Sequence, residues 1–351
     1  MTTRCTVVLV VWALSLLSCG PRTEVTVQES AAVGGASSQP AGRRPFHPFI
    51  DGRWIGNGIS YGAHRDGQTP GGSGPTREQV REDLHILAQH WNLLRMYAAG
   101  PESEMALQII REEHLPLKMV LGAWIAMEER FGDGGAVVER FPQAQEANRR
   151  QVATLIQQAN AYSDIVLAVT VGNETQVFWS AHKIPVELLI RYIREVRGAV
   201  KAPVATADDF NFWNKPESRL VAREVDFIVT HIYAMWAGQP LERALPFTQE
   251  KYAEVAQMHP GLPLVLGEAG WATQKHNEGE QAKLIKGEAG ETQQKTFYDE
   301  FTAWTTRARI ANFYFEAFDE NWKGGSHSDE VEKHWGLFRA DRTPKLVLQG
   351  P

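Results

Sequence analysis

Two glutamates each close an apolar run directly after a glycine or a Gly-Asn pair. Glu174 ends IVLAVTVGNE (165–174), and Glu268 ends PLVLGE (263–268). Two carboxyl groups opposed across a cleft are the minimum equipment for breaking a glycosidic bond. One must carry a proton for the leaving oxygen; the other must be ionised, to attack the anomeric carbon or to activate water. A lone glutamate after a strand can equally be a salt-bridged rim residue. Two of them, flanked by Asn173 and Trp271, point to chemistry. Other polar residues fall in the same kind of place. His231 and Tyr233 end VDFIVTHIY, and NFYFEAFDENWK supplies Glu316, Asp319, Glu320 and Lys323. Arg65 follows the first apolar run and Arg95 lies in the second.

The elements that must position these groups are eight short apolar runs, at 56–62, 93–97, 117–123, 165–171, 203–207, 225–231, 263–267 and 312–318. Several are continuous Val/Ile/Leu stretches, as strands buried on both faces of a parallel sheet require. Amphipathic stretches separate them, such as 77–90, 143–161, 185–200 and 291–309. Within 143–161 the apolar residues Ala147, Val152, Leu155, Ile156 and Ala159 recur mostly at helical spacing. Pro185 is expected in a first helical turn, where proline is tolerated. Eight strand-then-helix units predict a single-domain α/β (β/α)8 TIM barrel over residues 45–351. A doubly wound open sheet is the runner-up, disfavoured because no Gly-rich phosphate loop follows the first strand. In a barrel the chemistry sits at the C-terminal ends of the strands, and strands four and seven face each other across the mouth.

Trp124, Trp179, Trp213, Trp236, Trp271 and Trp322 all fall just past candidate strands. An indole face offers a flat platform for the C–H face of a sugar. Any one of them can instead pack the rim; six together suggest a sugar cleft, with Trp271, Trp322 and Trp335 as individual candidates.

These motifs resemble glycoside hydrolase family 17, whose best-known members are endo-1,3-β-glucanases. VGNE at 171–174 and GEAGWAT at 267–273 match its strand-four and strand-seven motifs. FEAFDENWK (315–323), VEKHWGLF (331–338) and ISYGAHRDGQTP (59–70) resemble its bacterial branch, and the likeness spans residues 50 to 346. Ala269 and Ala272 stand where the family usually has Thr and Pro, which bears on sugar contacts beside Glu268. The resemblance implies a retaining enzyme with Glu174 as acid/base and Glu268 as nucleophile. It implies that Asn173 binds the sugar 2-hydroxyl and that Tyr233 bonds Glu268. Glu316, Glu320 and Lys323 are expected to form an electrostatic network beside the nucleophile, with Arg65 and Arg95 as further binding candidates. His231 reads as either a core or a site residue. The substrate implied is a β-glucan, cleaved at 1,3-β linkages. Transfer to another sugar, as by a 1,3-β-glucanosyltransferase, is the alternative. A non-catalytic glucan-binding lipoprotein is a distant one. A metal-dependent barrel hydrolase would need clustered strand-end histidines, and only His231 qualifies. No metal or cofactor is expected, and the protein is expected to act as a monomer.

The composition agrees. Net charge is −6 and no basic run is longer than Arg43-Arg44, which argues against nucleic acid and suits a neutral polar substrate. Arg4 precedes an apolar run at 7–17, too short to span a bilayer and ordered like a signal peptide. Leu16-Leu17-Ser18-Cys19 resembles a bacterial lipobox, which implies cleavage after residue 18 and lipid attachment to Cys19. The anchor is expected in the bacterial cell envelope, at the outer membrane or cell surface; if the cell is Gram-negative, Gly20 rather than Asp after Cys19 favours the outer membrane. Cys5 and Cys19 are the only cysteines, so the body can hold no disulfide framework. Residues 19–44, rich in Ser, Gly, Ala and Pro, read as a lipidated flexible tether.

Overall fold

The computed structural model describes residues 42–132 and 134–349. The expected signal segment, Cys19 and the tether up to residue 41 lie outside the described residues. Eight parallel strands close into a barrel: β1 (Asn57–Ser60), β2 (Leu93–Met96), β3 (Lys118–Ala123), β4 (Val166–Asn173), β5 (Val204–Asp209), β6 (Ile228–His231), β7 (Leu264–Ala269) and β8 (Asn312–Tyr314). Each pairs with its neighbours in sequence, and β8 closes on β1 from Asn312↔Asn57 to Tyr314↔Ile59. All eight expected strands are present. The last is shorter than its apolar run, because the chain turns away at Phe315 to build the rim.

The helices are α1 (Arg77–Leu87), α2 (Pro101–Glu112), α3 (Pro142–Ala161), α4 (Val186–Ala199), the single turns α5 (Phe210–Trp213) and α6 (Arg219–Ala222), then α7 (Leu241–Met258), α8 (Gly279–Leu284) and α9 (Glu291–Ala308). Local sequence sets their ends. Thr76 and Gln79 form a reciprocal capping box on α1. Pro185 lies one residue ahead of α4, at its N-cap with extended backbone, rather than in the first turn. The polar segment 276–290 folds its middle into α8; the rest is loop. A hairpin of Glu129–Phe131 with Val137–Arg140, after β3, is an addition to the barrel plan.

Alternate strand residues explain the near-continuous apolar runs. Leu93, Val120, Ala168, Val229, Val265 and Phe313 fill the barrel interior. Their neighbours Leu94, Leu121, Val169, Ile228 and Leu266 pack against the helices. Full burial of each larger aliphatic or aromatic side chain contributes about 1.5–3 kcal/mol, so both faces of every strand favour the closed barrel.

The two poles differ. At the N-terminal pole the strands Phe49–Ile50 and Arg53–Trp54 pair across the entry, Phe46 stacks on Phe227 at 5.0 Å, and Arg44 bonds both oxygens of Asp226. At the C-terminal pole the ladders are irregular. Register shifts fall between Thr170 and Asn173, between Thr230 and His231, and between Leu266 and Ala269. Such bulges bend a strand and re-aim its side chains. Here they turn Asn173, His231 and Glu268 toward one another.

Candidate active site

β4 ends in unusual backbone. Gly172 has φ +78° and Glu174 φ +50°, so the chain leaves the strand through the left-handed region. A Cβ at 172 would be strained there. The turn is held from β5: Glu174 N–H donates to Ala207 O (2.9 Å). Asp208, fully buried, accepts from the backbone N–H of Gln176 (2.8 Å), Val177 (3.1 Å) and Asp209 (2.9 Å). Asp208, near the end of β5, therefore fixes the loop that carries the acid after β4.

Glu268 is gripped from three sides. Arg95 Nη1 donates to its Oε1 (2.9 Å), and the Tyr233 hydroxyl donates to its Oε2 (2.6 Å). Arg95 Nη2 donates to Asn173 Oδ1 (2.6 Å), which leaves the Asn173 amide N–H free for a ligand. His182 holds the Asn173 carbonyl at 2.8 Å. Burial works against charge on Glu268, but the imidazole of His231, the guanidinium of Arg95 and the hydrogen bonds from Tyr233 and Arg95 outweigh it. Together they keep its carboxyl below the usual value.

The imidazole of His231 lies between the two glutamates. Its Nδ1 is 3.0 Å from Glu174 Oε1 and its Nε2 is 3.3 Å from Glu268 Oε1. Carboxyl oxygens of Glu174 and Glu268 fall within 4.8 Å of each other. Space for the ring depends on Gly267, where a Cβ would come within 2.2 Å of Val229 Cγ1 and 3.0 Å of His231 Cδ2. The three groups are close enough to gather round a cation. Both oxygens of Glu268 are already engaged, however, and a cation there would face the Arg95 guanidinium. Glu174 keeps 28% of its side chain exposed against 7% for Glu268, so the former is the more open to the cleft.

Beside this pair, Lys323 bridges Glu316 (2.6 Å) and Glu320 (2.7 Å). Burial, with the charge of Glu320 adding to it, pushes Glu316 well up despite Lys323. For Glu320 burial is outweighed by Lys323 and by the Trp322 indole N–H, and its carboxyl is held down. Against the cost of burial the two carboxyls hold the Lys323 ammonium above its usual value. Gly62 makes room for Glu320, whose Oε1 would sit 2.4 Å from a Cβ there. Asp319 belongs to a separate contact, accepting from Lys345 Nζ and Gly336 N–H.

The cleft above these groups encloses about 1720 Å³, more than the roughly 300–1,000 Å³ that suits a drug-sized ligand. Glu174, Glu268, Asn173, Tyr233, Glu320 and Lys323 all line it, as do Trp124, Trp179, Trp236 and Trp322. Several of the sequence candidates stand elsewhere. Trp271 and Trp335 are fully buried and correct the expectation of sugar platforms. The Trp271 indole N–H is spent on Glu288 O, and Trp335 packs edge-on against Tyr233 and Phe315. Trp213 is likewise interior, bonded to Val229 O. Arg65 is outside the cleft lining, paired with Glu82 and Asp83. Arg95 is 1% exposed and acts on Glu268 and Asn173 rather than on a ligand. Residues that no expectation covered include Tyr97, Asp208, Asp209 and Glu332. Burial raises Asp208 to about 8, with Glu174 adding to it, and raises Glu332 to about 7 despite Lys323 and Trp236. The run VATADD carries the signal for two of them, since both acids close a strand.

Comparison with known proteins agrees with the barrel fold. The model of the BtgE/BtgC glycoside hydrolase domain matches residues 58–336. A glucan 1,3-beta-glucosidase of Arthroderma benhamiae is 28% identical over 302 residues, 82% of this chain and 89% of the relative. One of Schizosaccharomyces pombe is 27% identical over 96% of this chain and 95% of its own. An endo-laminarinase from Formosa superposes with a TM-score of 0.72 at 26% identity, over 84% of this chain and 86% of that one.

Proposed function

Since the chain belongs to the BtgE/BtgC glycoside hydrolase domain family, we propose that it cleaves 1,3-β-glucan by double displacement, with Glu174 as acid/base and Glu268 as nucleophile. The carrying observation is the separation of the two carboxyls, within 4.8 Å between their nearer oxygens. It suits the spacing of about 5–5.5 Å in retaining enzymes and not the roughly 6.5–9.5 Å that leaves room for water in inverting ones. The names of the relatives, glucan 1,3-beta-glucosidase and endo-laminarinase, support the substrate.

Each step follows from the contacts. Glu268, held ionised by Arg95, Tyr233 and His231, attacks the anomeric carbon. Glu174 gives its proton to the leaving oxygen, and a covalent glycosyl-enzyme forms. Asn173, oriented by Arg95, offers its amide N–H to the sugar 2-hydroxyl. Glu174 then removes a proton from water, which attacks and releases the sugar with its configuration kept. The cleft continues past both glutamates, which supports internal cleavage of a chain. Transfer to a sugar acceptor is the second reading, favoured by the polar arm of the cleft beyond Glu174 described below.

Export and lipid attachment at Cys19 complete the proposal, supported by the lipobox-like sequence. The described chain enters the barrel at the N-terminal pole, through Arg44 and Phe46, so an anchor there would leave the cleft facing away from the membrane. Cys19→Ala should abolish labelling by radioactive fatty acid; retained label would remove this part.

The enzymatic reading is tested on laminarin. The wild-type protein should release sugar that proton NMR first sees as the β-anomer, unaffected by chelators. Glu268→Gln should lose at least a thousandfold in rate. An α-anomer as first product, or a Glu268→Gln rate equal to wild type, would overturn it.

A further inference from the structure

Beyond Glu174 the cleft opens into an arm floored by α5 and the side of α7. The catalytic steps above use none of its residues. Asp209, at the end of β5, is 4% exposed and lines this arm. Its Oδ1 is spent locally, accepting from the Asn211 backbone N–H and side-chain amide, both at 2.8 Å. Among the described residues nothing bonds its Oδ2. One turn later Asn214 also lines the arm; its Nδ2 donates to Glu254, while its Oδ1 is buried and has no partner. Two acceptors in one recess thus lack hydrogen bonds, and for Asn214 Oδ1, which is buried, that is costly. Phe210 and Phe247, edge to face at 5.8 Å, give the same arm an apolar wall.

A ligand that matches this arm must supply hydroxyl hydrogens and a C–H face. A cation would meet Lys215 and Lys251, which line the same recess. A neutral polyol fits all of these groups. Its position is set by the chemistry: the leaving oxygen is protonated by Glu174, so the departing or incoming sugar lies on the Glu174 side of the scissile bond. Burial, with the nearby charge of Glu174, holds the Asp209 carboxyl well above its usual value. A sugar hydroxyl, both donor and acceptor, serves either protonation state.

We propose that Asp209 and Asn214 bind the hydroxyls of the glucosyl unit on the leaving-group side of Glu174, and so set how much glycosyl-enzyme passes to a sugar rather than to water. This rests on the double-displacement reading. When a sugar acceptor is used, its hydroxyl oxygen bonds to the anomeric carbon, the bond to Glu268 breaks, and the hydroxyl proton goes to Glu174.

The test uses Asp209→Ser, which keeps an oxygen to cap α5 but cannot reach into the arm, and Asn214→Ala as an independent variant. Two substrates are compared: laminaripentaose, and nitrophenyl β-laminaribioside, whose leaving group has no sugar hydroxyls. On the pentaose kcat/KM should fall roughly 10- to 100-fold, and products longer than the pentaose should diminish. On the nitrophenyl glycoside kcat/KM should stay within about twofold of wild type. Equal losses on both substrates, or no loss on the pentaose with either variant, would overturn the proposal. If wild type cleaved neither substrate, the hydrolase reading itself would fall first, which separates the two failures.

Discussion

Arg95 and Glu268 face each other inside the barrel mouth, Nη1 to Oε1 at 2.9 Å, with only 1% and 7% of their side chains exposed. Both charges are largely shielded from water. Arg95→Met therefore strands a buried carboxylate, which costs about 3–5 kcal/mol of stability, read as a lower Tm in calorimetry. It also frees Asn173, so kcat/KM on laminarin should drop by more than a hundredfold. A variant with wild-type Tm and activity would show that the pair is dispensable.

The same contacts fix the acid side of the pH profile. Glu268 is held below its usual value, so the contribution of its charge is complete at neutral pH and is lost as pH falls through that lowered value. The acid limb of kcat/KM should lie below about 4.3, the ordinary glutamate value. In Arg95→Lys, which keeps charge but loses the fork, the limb should move upward. A limb that stayed put would mean that the guanidinium does not hold Glu268 down.

Glu332 works in the opposite sense. Its carboxyl is raised to about 7, chiefly by burial, so the folded state favours the protonated form. That stability is fully present below the unfolded glutamate value and fades as pH rises through 7. Tm should fall between pH 5 and pH 8. Glu332→Gln, which can still accept from the Trp236 indole (2.9 Å in the wild type), should flatten that fall. An unchanged slope in the variant would assign the loss to other groups.

Gly267→Ala tests the His231 bridge without removing any polar group; the added methyl would lie 3.1 Å from His231 Nε2. The added methyl cannot share space with Val229 Cγ1 at 2.2 Å, so either β6 or the imidazole must shift. Overpacking of this kind costs about 1–3 kcal/mol. Activity should fall at least tenfold while the protein stays folded at 25 °C; full activity would mean that the ring position is not critical.

The strand ends were legible because β4 and β7 are apolar runs that stop at an acid. That pattern follows from a barrel whose walls are buried on both faces and whose mouth is wet. Tryptophan type carried less information. Trp271 follows β7 as Trp322 follows β8, yet the first turns inward to Glu288 O while the second leaves 38% of its surface exposed in the cleft. Which way a rim side chain turns depends on the loop packed over it, here 276–290, and that contact is long-range. Arg95 shows the same limit. Its place on β2 was readable, but its bonds to Asn173 and Glu268 reach 78 and 173 residues along the chain. Asp208 and Asp209 went unread because the apolar run ends at 207, two residues before the strand does.

The two tryptophans give a paired prediction. Trp271→Ala should destabilise by about 3–5 kcal/mol as a core deletion, seen in urea unfolding. Trp322→Ala should cost less, about 1.5–3 kcal/mol for the bond its indole N–H gives the buried Glu320, and raise KM for laminari-oligosaccharides several-fold. The reverse pattern would return Trp271 to the cleft.

The central claim, two glutamates with distinct roles in a retaining reaction, is tested most directly by the stereochemistry of azide rescue. Glu174→Ala and Glu268→Ala would each be given an activated aryl β-laminaribioside with sodium azide, and the glycosyl azide identified by NMR. The account predicts a β-azide from Glu174→Ala, where azide meets the glycosyl-enzyme, and an α-azide from Glu268→Ala, where azide replaces the nucleophile. The opposite pairing, or the same anomer from both variants, would contradict it.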